Sequence, residues 1–371
     1  MAGAPTEHCF FTQSAESASA IFSAGKLRVP TEAKLDACCW EARTRWENVC
    51  DIIDGMKILI FGAGGVGSVV GYFLARTGHE VTLLGRPWHL DAIQKNGLSV
   101  TGIWGDYRSK AFDLCTDAKE LRGVKPGFDL IILTVKSFDT AKAVEEMVPI
   151  LKEHTIVLSL QNGLGNIETI LKKVPADQFL AGRVIFGVET QPGIAKVTVN
   201  ADDVVIGSLP GATPKLSAVR LAHTLATSKI PARSVENILT FIWSKVIYNC
   251  ALNAICTIYE MPYGKILENP ETKAQMETVV RECYQVGLKK GINLEPKSPE
   301  DYLKLLIGTL IPKTAAHFPS MLQDIRKSKR TDIEALNGTI AKLGESLGIP
   351  TPANLHLAQE ILKKSVNFVK K

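Results

Sequence analysis

The stretch Met56–Gly67, Met-Lys-Ile-Leu-Ile-Phe-Gly-Ala-Gly-Gly-Val-Gly, decides how the rest of the chain is read. Lys57 to Phe61 is a short run of bulky apolar residues, as expected of a strand buried on both faces of a parallel sheet. Gly62, Gly64 and Gly67 follow at once in the spacing G-x-G-x-x-G. That spacing permits a tight turn, close approach of a pyrophosphate, and close packing of helix on strand. Ser68 to Thr77 then reads as a helix closed by Gly78, its N-terminal amides aimed at the phosphates, and Glu80–Leu84 as a second strand. A glycine-rich turn alone can merely pack. Set between a strand and a helix with a second strand beyond, it predicts a dinucleotide site formed by Gly62, Ala63, Gly64, Gly65, Val66 and Gly67.

The end of the second strand bears on which dinucleotide. A site for NAD usually carries an acid about 20 residues beyond the glycines, for the ribose 2′-hydroxyl. Here the strand ends Leu83-Leu84-Gly85-Arg86, with no carboxylate and a guanidinium suited to a 2′-phosphate, which favours NADP(H) over an ordinary solvated arginine.

The 371 residues are long for one domain and comfortable for two. A formal charge of +5 is modest, and the basic run Arg326 to Arg330 reads as a solvated helix face. Without aromatic interleaving or zinc spacing, neither nucleic acid nor a metal is expected, whereas a small anionic substrate suits the balance. Eight cysteines without C-x-x-C pairs suggest a reduced, cytoplasmic protein. No uninterrupted apolar run reaches about 18 residues, so no membrane span is expected, and the N-terminus lacks a secretory signal pattern.

Residues 1–55 show no sustained period and read as a poorly ordered extension or a start site placed too far upstream, with one amphipathic helix conceivable over 31–50. From Met56 to about residue 236 strands and helices alternate. Leu98–Val100, Phe128–Val135, Thr155–Leu160, Phe179–Val188 and Ile230–Val235 read as strands, Asp139–Leu151 as a helix, and Ala195–Val199 with Val204–Ile206 as a hairpin. Ligands sit outside the carboxyl ends of such strands, which brings Lys136 and Asn162 to the rim. Residues 237–371 are helical by period. The expected fold is α/β: a Rossmann-like dinucleotide-binding domain over 56–236, followed by an all-α helical domain over 237–371.

Asn237 to Tyr259 is a mostly apolar helix on which Lys245, Asn249 and Asn253 recur at i, i+4 and i+8 and so share a face. Burying such groups unpaired is costly. They either pair with one another and with interdomain backbone, or they face a cleft, with the lysine as general acid and the amides on a polar substrate. Ser320 stands at a Pro-Ser helix start, where capping competes with substrate binding, and Asp332 and Glu334 follow the basic run as surface acids or as cleft groups.

GAGGVG at 62–67, the strand ending TVK at Lys136, the QNG turn at Asn162, the helix WSKVIYNCALNA and the stretch SMLQDIRKSKRTDIEALNG together make this chain resemble the ketopantoate reductases (2-dehydropantoate 2-reductases). The resemblance runs from Met56 almost to the C-terminus. It implies substrate bound in the cleft between the two domains, Lys245 as catalytic lysine, and Asn249, Asn253 and Ser320 as substrate-binding residues. It also implies Lys136 and Asn162 near the nicotinamide, and Val188 where a backbone group meets the cofactor. A family glutamate implicated in cofactor binding and catalysis falls on Asp332, one methylene shorter, with Glu334 two residues on. A further substrate asparagine falls on Tyr263, which puts the exact substrate in doubt. The expected activity is NADPH-dependent reduction of 2-dehydropantoate to (R)-pantoate. The alternatives are a relative acting on another 2-oxo acid or a dinucleotide-binding sensor without turnover. The small 2-oxo acid is the expected partner, and a homodimer stays open.

Overall fold

A computed structural model describes residues 55–214 and 216–366. The expectations for residues 1–54, including a helix over 31–50, lie outside the described residues.

In the first strand, β1 (Lys57–Phe61), alternation decides the layering. Ile58 and Ile60 enter one hydrophobic layer and Leu59 and Phe61 the opposite one, so the strand is buried on both faces. The chain continues through β2 (Glu80–Leu84), β3 (Leu98–Gly102), β4 (Tyr107–Ser109), β5 (Asp113–Cys115), β6 (Leu130–Leu133) and β7 (Ile156–Ser159). It then forms β8 (Phe179–Arg183), β9 (Phe186–Gln191), β10 (Ile194–Asn200), β11 (Val204–Gly207) and β12 (Ala232–Ser234). Eight strands make one sheet in the order β12-β11-β8-β7-β6-β1-β2-β5. Its neighbours are parallel except at β8–β11. The order reverses at β1, whose flanking strands β6 and β2 lead away in opposite directions, which is where a doubly wound sheet opens its crevice.

The glycine helix runs Gly65–Ala75, starting at the glycines themselves rather than at Ser68. A Cβ on Gly67 would stand 2.5 Å from the Gly62 carbonyl oxygen and 2.6 Å from Thr134 Oγ1, whereas one on Gly64 would meet nothing nearer than 3.9 Å. The helix is thus pressed onto the sheet on one side and open on the other, the form of a phosphate cradle. No side chain caps this helix, so its first amides are free for a ligand.

Two expected strand features are corrected. Phe179–Val188 is not one strand: β8 belongs to the large sheet, β9 to a second sheet of order β4-β3-β10-β9 that covers the glycine helix. Likewise β10 and β11 are not a hairpin, since β10 pairs with β9 and β3 while β11 pairs with β8 and β12. The chain changes sheet at both places, and Arg183 ties them by donating to Asp202 at 2.6 Å and to the Asp203 carbonyl at 3.1 Å. The expected helix Asp139–Leu151 is α-helical only over Thr140–Met147 and ends in a 3₁₀ turn, because Pro149 lacks the N–H that would continue it.

After β12 the described chain is helical. The long helix Ile238–Ile258 is apolar and long enough by composition to cross a membrane, but it packs among Pro270–Lys289, Ser320–Arg326 and Pro352–Val366 and forms the centre of the second core. The four described cysteines are unpaired and buried. Gly67→Ala is expected to destabilise the fold by about 1–3 kcal/mol through overpacking against the Gly62 carbonyl, read as a lower denaturation midpoint at unchanged slope.

Candidate active site

Three loops stand at the carboxyl ends of β1, β6 and β7, and the second and third meet the helical domain. The first is the glycine turn; Val188 of β9 lies against it, near enough that a Cβ on Gly65 would come within 3.1 Å of its side chain. Arg86 follows β2, is 70 % exposed, and its only ion-pair partner among the described residues is Asp139 at 3.5 Å, so the guanidinium is available to an anion.

The second loop carries Lys136. Its ammonium donates to Asp324 Oδ2 and Asp332 Oδ2, both at 2.9 Å, and Ser137 Oγ donates to Asp332 Oδ1 at 3.1 Å. Burial opposes the lysine's charge, but the two carboxylates outweigh it and raise its pKa. Burial raises Asp324 against the pull of Lys136, with Asp332 adding to the rise. Glu334 turns the other way, onto Arg330 at 2.5 Å. Of the two acids considered from the sequence, it is the shorter, Asp332, that meets the rim lysine.

The third loop is the Gln161-Asn162-Gly163 turn. Gly163 has φ +86°, and a Cβ there would lie 2.7 Å from Ala335, so the turn can dock against the helical domain only with glycine. Leu164 N–H donates to Ala335 O at 2.8 Å across the same contact. Docking brings Asn162 Oδ1 to 2.5 Å from Lys245 Nζ, which also donates to the Val184 carbonyl. That carbonyl is accessible because β8 ends at Arg183. Burial, helped by the Arg183 guanidinium and opposed by Asp332, lowers the Lys245 pKa to about 7. An ammonium has three N–H donors. Two are directed at Asn162 and Val184, which leaves one for a ligand.

Asn249 and Asn253 are buried on the same face of the long helix. Asn249 has no side-chain hydrogen bond among the described residues, so its amide is free to bind a ligand. Asn253 Oδ1 accepts from Tyr263 Oη at 2.5 Å. Tyr263 is only 4 % exposed, its ring packs edge-on to Tyr248, and its hydroxyl engages Asn253. Ser320 is the first residue of the helix Ser320–Arg326, whose cap is Pro319, so its exposed hydroxyl caps nothing. Sequence reasoning missed Asp324, Ser137 and the Val184 carbonyl. Asp324 was within reach, one helical turn beyond Ser320, but a backbone carbonyl carries no signal in side-chain identity.

The matches with known proteins fall on these residues. Residues 58–211 match the family described as Ketopantoate reductase PanE/ApbA, and 237–365 match its C-terminal domain. The chain belongs to the ketopantoate reductase family. A 2-dehydropantoate 2-reductase of Aquifex aeolicus (strain VF5) is 37% identical over 314 residues, which cover 84% of this chain and 97% of that relative. Among solved structures, a PanE/ApbA family ketopantoate reductase from Ralstonia eutropha JMP134 matches with a TM-score of 0.75 at 32% identity, covering 84% of this chain and 99% of its own. D-mandelate dehydrogenase in a ternary complex with NADH and anilino(oxo)acetate matches with a TM-score of 0.76 at 27% identity, over 84% of this chain and 99% of that one. The NADH in that complex agrees with the glycine cradle, which has the open side and free amides that a dinucleotide needs.

Replacing Lys136 with Met leaves Asp324 and Asp332 facing each other and should cost about 1–3 kcal/mol at neutral pH. Burial already raises Asp324, so the deficit should shrink as acid protonates it. Denaturation of both proteins at neutral pH and at successively lower pH measures this.

Proposed function

We propose that this chain reduces 2-dehydropantoate to (R)-pantoate, a step towards pantothenate, with NADPH in the cytoplasm. The observation that carries the proposal is Lys245: a half-buried ammonium with a pKa near neutrality, held by Asn162 and Val184 with one N–H to spare, beside the unpaired amide of Asn249.

NADPH, when bound, supplies the hydride. The chain's own residues do the rest. The free amides of the glycine helix hold the pyrophosphate and Arg86 the 2′-phosphate. Lys136 and Asn162 border the nicotinamide half, with Asp332 setting the position of Lys136. Lys245 donates its proton to the alkoxide oxygen that develops as the keto group is reduced. It can do so because burial and Arg183 make the neutral amine accessible. Asn249, Asn253 and Ser320 orient the substrate's hydroxyl and carboxylate groups, so that binding energy goes into alignment. The small acid is the partner this reading requires; nucleic acid and membrane play no part in it, and a homodimer would be read from the mass in solution.

A second reading, reduction of a different 2-oxo acid, is favoured by the likeness to D-mandelate dehydrogenase and by Tyr263, which occupies Asn253 Oδ1. NADPH oxidation followed with 2-dehydropantoate, other 2-oxo acids and an NADH control separates the two. Selective turnover of 2-dehydropantoate is expected, and turnover only on another acid would move the assignment. Tight NADPH binding with no turnover on any 2-oxo acid would favour a sensor.

Lys245→Ala should lower kcat by roughly 10²–10⁴-fold, and unchanged turnover would remove the lysine from the mechanism. Lys245 donates only while protonated, so kcat/KM for reduction should be level below pH about 7 and fall about tenfold per pH unit above it.

A further inference from the structure

The basic run Arg326-Lys327-Ser328-Lys329-Arg330 leaves its helix through a tight turn. Ser328 has φ +51°, and Lys329 N–H donates to the Asp324 carbonyl at 2.8 Å. The turn carries two cations across to the sheet domain. Lys329 Nζ lies 5.6 Å from the centroid of the Trp88 ring, and the Arg330 guanidinium 4.6 Å from that of Phe138. Trp88 follows the end of β2 and Phe138 the end of β6, the strands on either side of β1. The basic turn therefore spans the rim beside the glycine cradle, on the side where the adenosine ribose of a dinucleotide lies.

The charges there are not equivalent. Arg330 is engaged by Glu334 at 2.5 Å. Lys329 makes no ion pair among the described residues: it rests on the exposed Trp88 ring and feels the Asp324 carboxylate only at longer range. Arg86, two residues before Trp88, is held loosely by Asp139 at 3.5 Å. Two uncommitted cations, one from each domain, thus flank the tip of β2.

We infer that Lys329 is a cofactor-selecting residue: it reaches over Trp88 from the helical domain and joins Arg86 in binding the 2′-phosphate of NADP(H). The inference rests on the NADP(H) reading above. The chemistry is complementary. A phosphate monoester offers three acceptor oxygens, the Arg86 fork can bind two, and a lysine ammonium supplies the point charge for the third. An ammonium in contact only with a ring face, its nearest carboxylate attraction being a longer-range one, exchanges readily for a phosphate, because the cation–π contact at an exposed site is weak.

The test is calorimetric titration of the full chain with 2′-phospho-ADP-ribose and with ADP-ribose. Lys329→Met keeps the aliphatic stem and should weaken 2′-phospho-ADP-ribose roughly tenfold while leaving ADP-ribose within about twofold. Lys329→Arg should retain the discrimination. Equal effects of Lys329→Met on both probes, or none, overturn the inference, as does loss of discrimination in Lys329→Arg. If the wild type binds both probes equally, the NADP(H) reading falls and Lys329 with it. If the wild type discriminates and Lys329→Met discriminates as strongly, only Lys329 is removed.

Discussion

The Lys245 ammonium is carried by a mostly apolar helix at the centre of a hydrophobic core, and a cation there must find oxygens or lose its charge. The oxygens it finds belong to the other domain: Asn162 Oδ1 in the turn after β7, and the Val184 carbonyl where β8 breaks off. Much of the architecture follows from this demand. The turn after β7 must approach the helical domain closely, which requires Gly163. The chain must leave the large sheet at Val184, since a carbonyl paired in a ladder has less capacity for an ammonium.

A second ion cluster crosses the junction in the opposite sense. Lys136 comes from the sheet domain, and its acids Asp324 and Asp332 from the helical one. The two lysines share a side chain and differ in surroundings. Burial and a nearby guanidinium bring Lys245 to a pKa of about 7, while two carboxylates keep Lys136 charged. One is suited to giving up a proton, the other to holding a fixed position, the separation of roles by environment that acid–base sites require.

Much of this was legible in the sequence. The glycine spacing and the doubly apolar run of β1 defined the sheet and the cradle, and the i, i+4, i+8 spacing put Lys245, Asn249 and Asn253 on one face. Periodicity could not show that Phe179–Val188 divides between two sheets, because both halves are apolar and only pairing partners distinguish them. Nor could it choose between Asp332 and Glu334, whose side chains part at a 3₁₀ turn, one towards Lys136 and the other towards Arg330.

The sequence by itself determined the alternation of strands and helices, the glycine turn after β1, and the shared helical face of Lys245, Asn249 and Asn253, because these depend on local period and on turns that only glycine can make. The tertiary structure alone decided which groups meet across the domain junction: Val184 with Lys245, Asp324 with Lys136, Lys329 with Trp88. Those contacts join residues far apart in the chain, and their strength comes from burial and geometry that exist only once the two cores have packed.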